Sequence, residues 1–300
     1  MVMLAPFDLL ALGAAACWAV GSIMSVTPAR HLGAFAFSRW RMLMVAVMLW
    51  SVSLLTGGWH SLDTEIFGVM AISGLIGIFV GDTALFAAMN RLGPRRAGVL
   101  FATHAVFSAL LGIWVLNEHM STQAAWGAAL TVVGVMAAIV LGRRKEEQHA
   151  WETDQGHVGA GVVLGLVAAL CQALGSLIAK PVMAPDVDPV SASALRVSVA
   201  CFAHFCLLWA GAKVARAHHP LTPRIAAQTA VNGLIAMGIG MTLILTALQK
   251  GDVGMVAILS SVSPVLVLPL LWWYLGRAPA VGAWIGSGLT VVGTALILLR

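Results

Sequence analysis

The stretch Gly127-Ala-Ala-Leu-Thr-Val-Val-Gly134 recurs as Gly286-Ser-Gly-Leu-Thr-Val-Val-Gly293, 159 positions further along the chain. The same offset places Gly74-Leu-Ile on Gly233-Leu-Ile. Because the offset stays constant and needs no gaps from residue 74 onward, an internal duplication explains the pattern better than chance does. The sequence therefore predicts two copies of one structural unit.

The first part of each copy aligns at a slightly shorter offset. Cys17 matches Cys171 at an offset of 154, and Arg41 matches Arg196 at an offset of 155. A polar stretch separates the two copies. We therefore predict a first repeat over residues 1–142, a polar cytoplasmic linker over residues 143–157, and a second repeat over residues 158–300.

The composition indicates a membrane protein. Hydrophobic residues make up 60% of the chain and charged residues 10%, and the mean hydropathy is +0.94, whereas soluble domains carry about 25% charged residues. Eight runs of at least 21 residues contain no charge, and about 20 apolar residues suffice to span a bilayer core. Two more apolar segments hold one charge each, Asp82 and Arg196.

These ten segments predict an all-α integral membrane protein with ten transmembrane helices, five in each repeat. The predicted extents are residues 8–27, 35–56, 66–89, 96–116, 121–141, 158–180, 189–211, 225–249, 253–275 and 279–299. They leave no room for a soluble domain. No basic cluster lies on a soluble segment, so we exclude nucleic acid as a partner despite the net charge of +5.

The odd number of helices per repeat sets the relative orientation of the copies. A second copy that enters the membrane after five crossings runs in the opposite sense, so the copies are inverted repeats. Loops on one side of the membrane carry 11 lysines and arginines, and loops on the other side carry three. The positive-inside rule then predicts that both termini of this multi-pass plasma (inner) membrane protein lie outside the cytoplasm.

Several segments resemble a known family. Gly81-Asp-Thr-Ala-Leu-Phe-Ala-Ala-Met89, Ala105-Val-Phe-Ser-Ala-Leu-Leu-Gly112, Leu116-Asn-Glu118 and, in the second copy, Ser263-Pro-Val-Leu-Val-Leu-Pro269 resemble the EamA repeat of the drug/metabolite transporter superfamily. The resemblance implies a ten-helix exporter of small metabolites, with amino acids, including aromatic ones, a frequent substrate class. Drugs, nucleosides and other metabolites are the alternative. Because Ala105 stands where family repeats usually have proline, the resemblance does not predict a kink in helix 4.

Helix 9 is the best candidate for an interrupted helix beside a substrate site. Pro264 and Pro269 lack a backbone donor, so the carbonyls of residues four positions earlier lose their helical partners. Ser260 and Ser263 lie at the same place and could contact substrate. The alternative is a kinked helix whose serines bind local carbonyls.

Asp82 is the only acidic residue deep in a predicted helix, where an ionised carboxylate costs about 2.5–3.5 kcal/mol. Asp82 and His104 each lie 11 residues from Gly93, near the predicted turn between helices 3 and 4. They are therefore expected at the same depth, where they could relay a proton. The alternative is a structural hydrogen bond for each side chain.

Other polar and aromatic side chains are weaker candidates for contact with substrate. Arg39, Arg41 and Arg196 are expected to extend towards the interface, or else to meet a substrate carboxylate. The remaining candidates for substrate contact or coupling are Trp18, Phe86, Thr103, Phe107, Gln172 and Thr242. Core hydrogen bonding, helix packing and interfacial aromatic belts are the alternative roles of such residues.

The function predicted from these features is alternating-access transport around a cavity formed by helices 1, 3, 4, 6, 8 and 9. The expected partners are a small-molecule substrate, protons as candidate coupling ions, and the lipid bilayer, with the monomer as the functional unit. All four cysteines lie in predicted helices, and the sequence offers no metal-ligand spacing. We therefore expect no metal, no cofactor and no enzymatic activity; a passive channel and an intramembrane enzyme remain the alternatives.

Overall fold

The computed structural model describes residues 6–141, 158–275 and 280–298. The predicted linker at 143–157 and the loop that contains Arg277 lie outside these residues. Within the described residues the secondary structure is helical and includes no strand. The prediction of an all-α protein is therefore confirmed.

The described residues include ten apolar helices, which correspond to the ten predicted segments. They are α1 (Pro6–Leu32), α2 (Ala34–Thr56), α3 (Thr64–Leu92), α4 (Ala97–Leu116), α5 (Thr122–Leu141), α6 (Val158–Ala179), α7 (Pro189–Trp209), α8 (Pro223–Lys250), α9 (Val253–Ser260 and Ser263–Leu275) and α10 (Val281–Leu298). Eight of them are long and apolar enough to cross a membrane, and α5 and α10 are apolar helices of 20 and 18 residues. Short 3₁₀ helices occupy Gly58–Ser61, Lys180–Val182 and Lys213–Ala215.

Polar residues in the loops define where several helices begin. The side chain of Asp63 accepts a hydrogen bond from the backbone N–H of Ile66 at 2.8 Å, and that of Asp188 accepts one from Ser191 at 2.9 Å. These side chains satisfy donors that have no partner inside the helix. These two acidic residues thus lie at helix ends rather than in helix interiors.

The packing of the helices reflects the inverted repeat. Helix α1 packs against α8, and its counterpart α6 packs against α3; α2 pairs with α7, α4 with α9 and α5 with α10. Matching hydrogen bonds join the first two pairs. The Asn232 side chain donates to the carbonyl of Gly21, and the Ser73 hydroxyl donates to the carbonyl of Gly175, both at 2.6 Å. The two copies therefore interlock rather than form separate bundles.

The repeated stretch quoted first lies where α5 and α10 cross. Thr131 of α5 lies against Gly293 of α10, and Thr290 of α10 lies against Gly134 of α5. A Cβ atom at Gly134 would lie 2.5 Å from the backbone nitrogen of Thr290. Small residues let the two backbones approach this closely, which favours association where water supplies no hydrophobic driving force.

Four helices are irregular, and the irregularities occur in repeat-related pairs. Segments of α3 (Leu75–Asp82) and α8 (Gly233–Ile239) are π-helical. Helix α4 is divided at Thr103, between segments that end at Ala102 and begin at His104. Helix α9 is divided after Ser260, so both breaks fall at corresponding positions of the two copies.

The break in α4 was not expected, because no proline lies nearby. The chain instead tightens into 3₁₀-type hydrogen bonds, in which the N–H of Thr103 donates to Leu100 and the N–H of Val106 donates to Thr103. The break in α9 lies just before Pro264, as the missing proline donor predicts. Pro269, by contrast, lies inside the helical segment Ser263–Leu275 and does not interrupt it.

The reversal of the chain between α3 and α4 follows from their contacts with α6. Leu92 lies against Gly161, whereas Leu100 lies against Gly165. Further along α4, His104 shares a cavity with Gln172. Because Gly81 of α3 lies against Cys171, the contacts run down α6 as far as Leu92 and back up it from Leu100. The stretch Thr83–Ala102 therefore includes a sharp bend at the predicted turn.

The contact between α5 and α10 predicts that Gly134→Ala lowers the free energy of unfolding, by about 1–3 kcal/mol, because the new methyl group overpacks the crossing. Thermal unfolding of the purified protein in detergent measures the change. Gly288→Ala on α10 is the matched control, since a Cβ atom there meets no atom within 4 Å. Equal melting temperatures for the two variants would contradict the assignment.

Candidate functional site

A small internal cavity lies beside the two helix breaks. Its polar lining comes from His104 of α4, Gln172 and Ser176 of α6 and Ser260 of α9, and its apolar lining from Ile244, Leu248, Val253, Val256 and Ala257. His104 is only 3% exposed, and its Nδ1 atom has no hydrogen-bond partner among the described residues. An unpartnered buried ring nitrogen is costly unless a ligand or water binds it.

The serines of α9 already bind carbonyls of their own helix. The hydroxyl of Ser260 donates to the carbonyl of Ala257 at 3.0 Å, and that of Ser261 donates to Ile258 at 2.7 Å. This local bonding is the alternative to substrate contact that the sequence analysis gave for the serines of helix 9. Ser260 still lines the cavity, and its oxygen keeps acceptor capacity for a bound group.

A buried ion pair joins α2 to α3. The Nη2 atom of Arg41 lies 2.5 Å from the Oδ2 atom of Asp82, and the two side chains are 5% and 16% exposed. The guanidinium carbon of Arg41 also lies 4.7 Å from the centre of the Phe86 ring and 5.3 Å from that of Phe37. Charges inside a membrane protein need such partners, because hydrocarbon does not solvate them.

Arg196 occupies the equivalent place in the second copy. It is 2% exposed, and its Nη1 atom donates to the sulfur of Met241 at 3.2 Å. Neither Arg41 nor Arg196 extends to the interface, so the expectation of snorkelling is wrong for both. Arg39 is buried as well and donates to the carbonyl of Ala215 at 2.7 Å.

Asp82 and His104 lie at the same level of the bundle. Gly81, next to Asp82, packs on Cys171, while His104 shares its cavity with the following residue, Gln172. Their partners differ, because Asp82 binds Arg41. No hydrogen bond or ion pair among the described residues joins Asp82 to His104.

The other candidates from the sequence are placed as follows. Trp18 donates to the carbonyl of Ala236 at 2.9 Å, and Thr103 to that of Leu100 at 2.6 Å. Thr242 donates to the carbonyl of Gly238 at 2.7 Å. Phe107 and Ser263 are half-buried. Hydrogen bonds within and between helices thus use the polar groups of Trp18, Thr103 and Thr242.

Two further charged side chains bind the ends of helices. Glu118 accepts hydrogen bonds from the N–H groups of Val253 and Gly254, at 2.6 and 3.1 Å, where α9 begins. Lys180 donates to the carbonyls of Leu248 and Gly251 at 2.7 and 2.8 Å, where α8 ends. Both charges complement the helix dipole, which accounts for them structurally. Sequence reasoning did not anticipate these bonds, because neither partner is near in the chain.

The ion pair between Arg41 and Asp82 is expected to contribute to the free energy of unfolding. Asp82→Asn leaves the buried Arg41 without its carboxylate and should lower the free energy of unfolding by about 3–5 kcal/mol. The double variant Arg41→Met, Asp82→Asn removes both charges and should be more stable than Asp82→Asn alone. Thermal unfolding in detergent tests this order, and a double variant less stable than the single one would contradict it.

Comparison with known proteins agrees with this architecture. A solved crystal structure superposes with a TM-score of 0.76 at 17% sequence identity, covering 97% of this chain and 95% of that one. An uncharacterized transporter of Archaeoglobus fulgidus is 25% identical over 169 residues, 56% of each protein. Protein LicB of Haemophilus influenzae is 28% identical over 104 residues, about a third of each.

The two copies are also matched separately by one family. The model of the EamA-like transporter family fits residues 5–140 and again residues 159–299. These two matches together cover most of the chain and lie on its two repeats. The chain spans about half the length of the first curated relative and a third of the second, whereas the family model covers both copies. The chain belongs to the EamA-like transporter family.

Proposed function

We propose that this family member is a secondary transporter that moves small metabolites, amino acids first among them, by alternating access. The observation that carries the proposal is the cavity at the paired breaks of α4 and α9, where the Nδ1 atom of His104 has no hydrogen-bond partner among the described residues. Inverted-repeat transporters commonly bind substrate beside interrupted helices near the membrane centre. Drugs, nucleosides and other metabolites are the alternative cargo.

The cavity has a volume of about 10 Å³, room for one water molecule, so a substrate requires it to widen during transport; its lining suits a small amphipathic substrate. His104, Gln172 and Ser260 offer hydrogen-bonding atoms, while Ile244, Leu248 and neighbouring aliphatic residues offer an apolar surface. Binding sites of this kind combine a few polar groups with an apolar wall. An amino acid with an apolar or aromatic side chain presents both kinds of surface.

The proposed mechanism is a rocking of the two copies about the cavity, which both copies line. Helices α1, α3, α6 and α8 cross-pair between the copies, and α4 pairs with α9. A movement of one copy against the other therefore changes access to the cavity from opposite sides. No chemical step is required, which agrees with membership of a transporter family.

We also propose the cellular setting and the working unit. The excess of lysine and arginine in the loops that follow the odd-numbered helices supports a plasma (inner) membrane protein whose termini lie outside the cytoplasm. Both repeats and the cavity between them belong to one chain. This supports a monomer as the functional unit.

Counterflow in proteoliposomes loaded with each of the common amino acids tests the proposed function. We expect exchange of at least one apolar amino acid, and a loss of about tenfold in its rate for His104→Ala, because the cavity loses its free hydrogen-bonding nitrogen. Ser260→Ala should slow exchange less. Ser287→Ala is its matched control, because Ser287 makes the same kind of local bond away from the cavity. Absence of exchange for every amino acid would refute the assigned substrate class.

Proton coupling is a separate proposal, with Asp82 as the titrating group. Asp82→Asn should abolish accumulation driven by a pH gradient and retain counterflow, since a neutral side chain carries no proton across the cycle. Both rates are normalised to the amount of folded protein, because the variant is also expected to be less stable. Accumulation equal to that of the wild type would remove Asp82 from coupling.

A further inference from the structure

The two inverted copies hold equivalent arginines with unequal partners. Arg41 corresponds to Arg196, and Asp82 corresponds by the 159-residue offset to Met241. Arg41 binds Asp82, and Arg196 binds Met241. The contact between arginine and partner is thus repeated in both copies, but the second copy has a thioether where the first has a carboxylate.

The backbone around the arginines is repeated as well. Arg196 packs against Gly74 of α3, and Arg41 packs against Gly233 of α8, with its Cγ atom 3.1 Å from the place of a Cβ at that glycine. Gly74 and Gly233 are related by the same offset. The difference between Asp82 and Met241 is therefore a difference in charge within a common geometry.

The charges of this cluster do not balance. Asp82 binds Arg41, and Arg196 approaches the same segment Leu75–Asp82, because its Nη2 atom lies 3.2 Å from the place of a Cβ at Gly77. Among the described residues no second carboxylate binds either arginine. A net positive charge in a medium of low dielectric constant is unfavourable until an anion neutralises it.

The hydrogen-bonding capacity of the arginines is also unfilled. The Nε atoms of Arg41 and Arg196 have no hydrogen-bond partner among the described residues. The Nη1 atom of Arg196 donates a hydrogen bond to the sulfur of Met241, which is a weak acceptor. A guanidinium group presents parallel donors that match the two oxygens of a carboxylate.

We propose that Arg196 binds the carboxylate group of the transported substrate, which takes the place of the Met241 thioether. The methionine side chain is flexible enough to move aside. Arg196 lies near the cavity, because its Nη2 atom is 3.3 Å from the place of a Cβ at Gly175, and the next residue, Ser176, lines that cavity. This inference rests on the proposed function, because the anion is a group of the cargo.

The proposed site at Arg196 should select substrates that carry a carboxylate group. We expect an α-amino acid or a plain monocarboxylate to bind, and the amine left after removal of the carboxyl group to fail. The test uses the full chain purified in detergent and measures the shift of its melting temperature, which reports ligand binding to the folded state. The probes are L-phenylalanine, 3-phenylpropionate and phenethylamine, together with L-leucine, 4-methylpentanoate and isoamylamine.

Two substitutions at Met241 test the effect of a negative charge beside Arg196. Met241→Asp supplies the carboxylate that the repeat lacks, so it should occupy Arg196 and weaken binding of the acids by about tenfold or more relative to Met241→Asn. The two variants differ by one ionisable group at nearly constant shape. Where Met241→Asp does not fold, the longer pair Met241→Glu and Met241→Gln makes the same comparison. Arg196→Lys keeps the positive charge but loses the parallel N–H donors of the guanidinium group, so it should also weaken binding of the acids.

The outcomes separate this inference from the proposed function. Stabilisation by the acids but not the amines, lost in Met241→Asp and kept in Met241→Asn, supports the site. Stabilisation by none of the four acids, equal stabilisation by the amines, or equal affinities in the two variants overturns it. Acids that bind without counterflow would refute transport alone, while counterflow that accepts the amines as readily as the acids would refute the Arg196 site alone.

Discussion

The bilayer interior offers no water to backbone polar groups, and the rest of the structure follows from that constraint. Each segment satisfies its own N–H and C=O groups by forming a helix, which produces ten apolar helices in one chain. Departures from regular helices are tolerated only where protein or a cavity surrounds them. The breaks in α4 and α9 lie beside the cavity that His104 lines, so irregular backbone and polar side chains occur together inside the protein.

The two inverted copies arrange these helices in a nearly symmetric bundle. Small residues allow close crossings at equivalent places, as at Gly134 in α5 and Gly293 in α10. Met241 stands in the place of Asp82, so among the described residues the buried Arg41 has a carboxylate partner and the buried Arg196 has a thioether. A symmetric pair of ion pairs would leave no binding capacity for an anion.

Prediction from sequence succeeded where a local property decided the outcome. The missing donor of Pro264 correctly indicated a break in α9, and the same reasoning failed for α4, where 3₁₀-type bonds at Thr103 interrupt the helix without proline. The equal depth of Asp82 and His104 also follows from counting residues from the turn. Their neighbours do not, because Arg41 binds Asp82 from α2 and Gln172 lines the cavity of His104 from α6. The equivalence of Arg41 with Arg196, and of Asp82 with Met241, was the available signal for the charged cluster.

The sequence by itself determined the number of helices, the duplication, the inverted orientation and the family resemblance, because apolar length and repeat spacing are properties of the chain alone. Only the tertiary structure decided which side chains meet. Arg41 and Arg196 could have extended to the interface on sequence grounds. Close packing against Gly233 and Gly74 instead holds them inside, where a buried cation needs an anionic partner. Which partner it finds depends on contacts between helices far apart in the chain.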